Sequence, residues 1–322
     1  MPYIKNSEYT SRPLYLFNRH IETIIPSLFF KKEEVDYQRE KINLLDGDFL
    51  NLDWLTNNNN RLLIMCHGME GSSNRHYIKR SANYFLKRGW DVLAWNNRGC
   101  GGEVNKKIKT YHHGEIEDLS EVIDYALKNN TYKSVVLLGF SMGGSMVTKY
   151  LGVKKNIDNR VKGAICFSVS NDLKDTVTAI EDTISIYRNK FLKKLKGKLE
   201  RKKAVFSELR DVDINQITSL KEYYKEYILP YTGFNTIEDF YYDASCINFL
   251  KEIDRPVLMI NAKNDPLLGP NCFPIMIAKN HNFLFLETPK HGGHLGFSIR
   301  GKDFSYMEKR AETFMAQEMA LH

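Results

Sequence analysis

No stretch of the chain approaches the roughly 20 apolar residues that a membrane-spanning helix needs, which argues against a helical span. The opening residues, Met-Pro-Tyr-Ile-Lys-Asn-Ser-Glu, lack the apolar core of a secretory signal. The five cysteines (66, 100, 166, 246 and 272) are scattered and never spaced C-x-x-C. That excludes a cysteine-held metal and a disulfide framework, and it suits a reducing, cytoplasmic setting. Neither G-x-G-x-x-G nor a Walker A sequence is present, so no nucleotide cofactor is expected. There is no internal repeat, and Asn57 to Asn60 is the one low-complexity patch.

Charge of one sign is also missing from most of the chain. Of a net +7, residues 188–203 carry +8, with nine Lys or Arg against Glu200, so the remainder is near −1. A basic stretch this local does not suit nucleic-acid binding by a whole domain. What is present is an ordinary globular composition, 43% apolar over 322 residues. That is enough for one large α/β domain with an insertion.

The hydrophobic pattern alternates between strand and helix. Lys41 to Trp54 reads as a hairpin around Asp46-Gly47-Asp48. Leu62 to Cys66, Trp90 to Trp95, the apolar run from Val136 into Gly139, and Lys162 to Ser168 read as buried strands, with helical spacing over 75–88, 115–127 and 142–151. The alternation stops near Asp172 and returns at Pro256 to Ala262 and Phe283 to Glu287, before a last helix over 304–319. This predicts a mostly parallel central sheet with helices on both faces. The expected division is an arm over 1–34 anchored by Leu16-Phe17 and Ile21 to Phe30, a core over 35–173 and 251–322, and an inserted helical cap over 174–250.

The chemistry centres on Gly139-Phe140-Ser141-Met142-Gly143. G-x-S-x-G between a strand and a helix is a nucleophile elbow: the sharp turn holds the serine hydroxyl clear of the sheet edge. Serine is a poor nucleophile without a base, and the base needs a carboxylate to fix its tautomer. In hydrolases built on such an elbow the chain order is nucleophile, acid, histidine. Asp265, just past the strand ending at Ile260, and His294, in Gly292-Gly293-His294, meet that order at strand ends. Asp172 is the rival acid. His291 is the rival histidine and reads as a solvated loop residue. The pair His291 and His294 has no evident third ligand, so no metal is expected. His112 and His113 read as structural. Two backbone donors are needed for an oxyanion; Met142 supplies one, and Met69, after the strand ending at Cys66, is placed for the other.

These motifs, with Asn18-Arg19-His20-Ile21-Glu22-Thr23, His67-Gly68-Met69-Glu70-Gly71, Asn97-Arg98-Gly99-Cys100-Gly101-Gly102 and Tyr111-His112-His113-Gly114, resemble the YheT-like α/β-hydrolases, a family of predicted esterases and lipases. The resemblance implies an α/β-hydrolase fold, a triad of Ser141, Asp265 and His294, and carboxylic ester substrates. The chain departs from that family in a Lys-rich cap and in Ser170-Asn171-Asp172-Leu173.

Within the cap, Leu192, Leu195 and Leu199 recur among the lysines as an amphipathic helix interrupted by Gly197. Such a helix can lie on an anionic membrane surface; a solvated outer face is the favoured reading. Seven tyrosines and four phenylalanines suit a pocket for an acyl chain. The expected activity is hydrolysis of acyl or lipid-like esters. Acyl transfer, thioester or peptide cleavage at the same triad, and a binding protein with negligible turnover, are the alternatives.

Overall fold

The computed structural model describes residues 2–29, 33–209 and 213–321. Its strands are β1 (Tyr3–Ile4), β2 (Gln38–Asn43), β3 (Phe49–Leu55), β4 (Arg61–Cys66), β5 (Asp91–Asn96), β6 (Ser134–Phe140), β7 (Val161–Phe167), β8 (Val257–Ile260) and β9 (Leu284–Glu287). Its α-helices are α1 (Arg19–Phe29), α2 (His76–Leu86), α3 (Glu117–Asn129), α4 (Met142–Val153), α5 (Leu173–Asp182), α6 (Ser185–Lys203), α7 (Leu220–Tyr223), α8 (Ile237–Ala244), α9 (Ile275–Lys279) and α10 (Tyr306–Glu318). The strands form one sheet in the order β1-β9-β8-β7-β6-β4-β5-β3-β2. Only β2 with β3 and β3 with β5 run antiparallel.

Side chains alternate across a strand, and here both faces are covered. From β4, Leu62, Ile64 and Cys66 join a core with Leu119 of α3 and Val147 of α4. Leu63 and Met65 enter the opposite core, with Phe85 of α2 and Phe314 of α10. This two-sided burial is why the central strands read as continuous apolar runs. The α/β architecture expected from the strand and helix pattern is the one observed.

Three local expectations need correction. In the arm, Leu16 is buried at 1% exposure but Phe17 is 68% exposed. A turn closed by Leu16 N–H donating to Pro13 O at 3.1 Å aims Leu16 inward and its neighbours outward. Phe30 lies outside the described residues. The arm also forms β1, which pairs parallel with β9, and two residues are too few to leave a periodic signal. Gly197 does not interrupt α6, which runs unbroken over 185–203. A mid-helix glycine costs about 1 kcal/mol, and burial of Leu192, Leu195 and Leu199 outweighs that.

The third correction concerns the basic face of α6. Lys198 and Lys202 are only 3% and 1% exposed. Lys198 Nζ lies 2.7 Å from Glu70 Oε1, and Lys202 Nζ donates to the carbonyls of Ile108 and Lys109 at 2.8 Å. A lysine stem packs as hydrocarbon, and a buried ammonium is tolerated where oxygens ring it. Along the i, i+4 row 190-194-198-202 Lys190 is exposed, Lys194 is half-buried and Lys198 and Lys202 are buried, so the C-terminal half of the row turns toward the core. Among the described residues no helix is long and apolar enough to cross a membrane.

Candidate active site

Ser141 sits between β6 and α4 with φ 55° and ψ −123°. A non-glycine residue there costs on the order of 1–3 kcal/mol and persists only where its surroundings impose it. Ser141 N–H donates to Phe167 O at 2.8 Å, and Gly144 N–H donates to Ser141 O at 2.8 Å. The flanking glycines are forced by contact. A Cβ on Gly143 would lie 2.2 Å from Cys66 O, and one on Gly139 would lie 2.6 Å from Gly144 Cα.

Three chain segments meet at this serine. Ser141 Oγ lies 2.9 Å from His294 Nε2. His294 Nδ1 lies 2.9 Å and 3.1 Å from the two oxygens of Asp265. A carboxylate accepts only, so the network assigns the proton to Nδ1 and leaves Nε2 to accept from the serine hydroxyl. The Asp265 side chain is wholly buried and that of His294 is 11% exposed. Asp265 Oδ1 also accepts from Leu267 N–H at 2.9 Å, which fixes the carboxylate plane.

The rivals have other roles. Asp172 caps α5, accepting from Asp175 N–H at 2.9 Å. His291 is not simply a solvated loop residue: its Nδ1 lies 3.2 Å from Arg12 Nη1 and 3.3 Å from Glu22 Oε1. Burial pulls His112 down to about 4 and His113 to about 3, so both rings are neutral at physiological pH.

Met142 opens α4, where backbone N–H groups have no partner within the helix. Met69 follows β4 and lines the same pocket as Ser141 and His294. Among the described residues neither amide donates to a protein acceptor. The residues around Met69 are tightly held. His67 Nδ1–H donates to Gly68 O at 2.8 Å, and Nε2 accepts from Asn97 N–H at 3.2 Å. Burial pulls the His67 pKa down to about 3, which keeps the ring neutral at physiological pH. Gly68 N–H donates to Tyr77 OH at 3.2 Å, and Glu70 N–H to Tyr111 OH at 2.9 Å. The Glu70 carboxylate is taken by Tyr111 OH and by Lys198 of α6.

Sequence reasoning missed the part played by α1. Glu22 is 1% exposed and pairs with Arg12 at 2.5 Å. Its other oxygen accepts from Gly292 N–H at 2.6 Å and from Asn264 Nδ2 at 3.0 Å. Thr23 Oγ1 accepts from His294 N–H at 2.9 Å. One turn of helix thus braces both the loop carrying Asp265 and the loop carrying His294. A Cβ on Gly296 would lie 2.1 Å from Glu22 O, so the glycines of the histidine loop admit α1. The only trace in the sequence was the arm motif itself, 242 to 271 residues from the loops it supports.

The pocket over Ser141 has a volume of about 160 Å³. Ile24, Phe191, Leu267 and Leu295 supply apolar wall, and Arg75, Lys190 and Lys194 supply charge.

The family model described as alpha/beta hydrolase fold matches residues 61–300. Over 87% of its length the chain is 29% identical to "Putative esterase YheT" of Escherichia coli (strain K12), covering 84% of that protein. It is 28% identical to "Phospholipase ABHD3" of Mus musculus over 94% of its length, covering 76% of that protein. A solved esterase from Pyrococcus furiosus superposes with a TM-score of 0.60 at 18% identity, over 88% of this chain and 91% of that one. The last comparison speaks to the fold alone.

Proposed function

The chain is a YheT-like member of the α/β-hydrolase family, and on that premise we propose that it is a serine hydrolase of carboxylic acyl esters. The observation that carries this reading is the hydrogen-bonded line from Ser141 Oγ through His294 to Asp265. Ser141 Oγ attacks the ester carbonyl carbon as His294 Nε2 takes its proton. Asp265 stabilises the imidazolium and holds its orientation. The Met69 and Met142 amides face the oxyanion, and donors of this kind are worth about 2.7–4 kcal/mol each. Collapse breaks the C–O bond to the alcohol, which leaves with the proton from His294. Water then gives its proton to His294 and attacks the acyl-enzyme; acid and free serine result. The names of the YheT and ABHD3 relatives are in keeping with ester or lipid substrates.

We read residues 174–250 as a cap over the site, because Tyr187, Lys190, Phe191 and Lys194 of α6 contribute to the pocket wall. The pocket volume bears on the acyl group. A cavity near 150 Å³ encloses about one benzene ring, so an enclosed acyl portion of about six carbons is favoured. Hydrolysis of p-nitrophenyl esters from acetate to palmitate is expected to show kcat/KM peaking between butyrate and octanoate. A burst of p-nitrophenol equal to the enzyme present is expected wherever deacylation is slower, with the acyl group on the Ser141 peptide by mass spectrometry. Acylation at another residue would remove the mechanism, and a palmitate optimum would remove the pocket assignment. Added alcohols that divert the acyl group from water would make acyl transfer the main reaction.

We also propose peripheral contact with anionic membranes through the outward-facing cations of 188–203, including the exposed Lys193 and Arg201. Binding to vesicles containing phosphatidylserine is expected to weaken as salt rises past about 0.15 M. Equal binding to neutral vesicles would sink it.

A further inference from the structure

One face of α6 lines the pocket through Tyr187, Lys190, Phe191 and Lys194. These fall at i, i+3, i+4 and i+7, the spacing of a single helix face. The face therefore carries two aromatic rings and two ammonium groups over the same cavity. Arg75, from the loop before α2, adds a guanidinium.

Among the described residues none of these three cations has an ion-pair partner of its own. Arg75 Nη2 donates to Glu70 O at 2.5 Å, and Lys194 Nζ donates to the same oxygen at 3.1 Å. Two positive groups thus share one neutral carbonyl, which brings like charges close. The nearby carboxylate, that of Glu70, is already engaged by Lys198 and Tyr111. Among the described residues, Arg75, Lys190 and Lys194 have no carboxylate within ion-pair distance, and no Asp or Glu lines the pocket. Burial, then the charges of Arg75 and Lys190, pull the Lys194 ammonium down to about 8. Three cations around one cavity repel one another, least at the exposed Lys190 and most between Arg75 and Lys194, which share one carbonyl. Such an arrangement is compensated when an anion occupies the cavity.

We propose that this wall is an anion subsite of the active site, and that the substrates are acyl esters carrying a phosphate monoester close to the scissile bond. This rests on the serine-hydrolase reading given above. The apolar wall of Ile24, Phe191, Leu267 and Leu295 takes the acyl group, and Arg75, Lys190 and Lys194 take the phosphate. A dianion is favoured over a single carboxylate because an Arg fork and two ammonium groups offer more donors than a carboxylate can use. The Lys-rich α6 thereby acquires a role in substrate choice.

The test compares four esters with one hexanoyl group: hexanoylglycerol, its 3-phosphate, its 3-phosphocholine, and the hexanoyl ester of glycolic acid. In the wild type, kcat/KM for the 3-phosphate is expected to exceed that for hexanoylglycerol by at least about tenfold. In K190M/K194M that ratio falls to near one, and Lys194→Arg retains it. Circular dichroism and melting temperature show whether the double variant folds; if it does not, Arg75→Gln and Lys194→Met singly must each lower the ratio. A wild-type ratio near one, or one unchanged by the substitutions, overturns the subsite. Equal rates on the phosphocholine ester overturn the need for net negative charge, and equal rates on the glycolate ester overturn the preference for phosphate. Calorimetric binding of the 3-phosphate and of hexanoylglycerol to Ser141→Ala separates the two levels. If that protein still hydrolyses esters, the serine mechanism fails, whereas the binding contrast continues to judge the subsite. If it is inactive but shows no contrast, the subsite alone fails.

Discussion

Ser141→Ala is expected to lower kcat on p-nitrophenyl hexanoate by about 10⁴- to 10⁶-fold while leaving the fold intact. The size follows from what the hydroxyl does. Without Oγ no acyl-enzyme forms, and His294 has no proton to receive. The remaining rate is what the oxyanion donors and the pocket support on their own, with water as nucleophile. A loss of 10⁴-fold corresponds to about 5.5 kcal/mol of transition-state stabilisation. The folded state should barely register the change. Among the described residues Ser141 Oγ has one hydrogen-bond partner, His294 Nε2, and the φ of 55° is no easier or harder for alanine. The melting temperature is therefore expected to stay within a few degrees of wild type. A large drop in melting temperature would mean that lost activity reports unfolding, and retained activity in a folded Ser141→Ala protein would remove the serine as nucleophile.

Glu22→Ala is expected to act in the opposite manner, through structure first. Its carboxylate is 1% exposed and holds Arg12, the Gly292 amide and the Asn264 amide together. Removing one partner of a buried ion pair costs about 3–5 kcal/mol, because the other polar groups are left unsatisfied. At about 2–4 °C per kcal/mol for a domain of 150–250 residues, and somewhat less for a larger one, the melting temperature should fall by roughly 5–15 °C. Activity should fall further than stability accounts for. The Asp265 and His294 loops are both tied to this side chain, and a misplacement of about 1 Å can cost about 10²-fold in rate. Glu22→Gln keeps the shape and one acceptor, so it should lie between wild type and alanine in both measurements. Melting curves and kcat/KM measured below the transition would check this. A Glu22→Ala protein that melts within 2 °C of wild type, with at least half its activity, would show that α1 does not brace the two loops.

The two substitutions also mark where the sequence was legible. The elbow could be read because its constraint is local. A strand, a tight turn and a helix must follow one another directly, and the contact that forbids a side chain at Gly139 is with Gly144 of the same turn, although the one at Gly143 is with Cys66 at the end of β4. Asp265 and His294 could be read because parallel strands in a covered sheet are short apolar runs, and polar residues just past their ends stand out. The same reasoning found every strand except β1, and α2, α3, α4 and α10 to within a few residues, but it missed the five-residue α9. Glu22 could not be read in this way. An acidic residue in the first turn of a helix is commonplace, and its partners Gly292 and Asn264 lie some 240–270 residues away.

The row of lysines in α6 makes the same point in reverse. Nine basic residues against one acid look like a surface, because burying a charge is costly unless it is paired. Composition could not reveal that Glu70, Cys100 and the carbonyls over 107–109 wait beneath Lys198 and Lys202. Nor could it reveal that Lys190 and Lys194 face the cavity over Ser141. By itself the sequence determined the architecture, the elbow and the order of the three candidate catalytic residues, since each depends on periodicity or on neighbours in the chain. Only the tertiary structure decided which helix braces the histidine loop and which side of a basic helix turns inward. Those outcomes depend on groups brought together from distant segments, where pairing and desolvation set the energy.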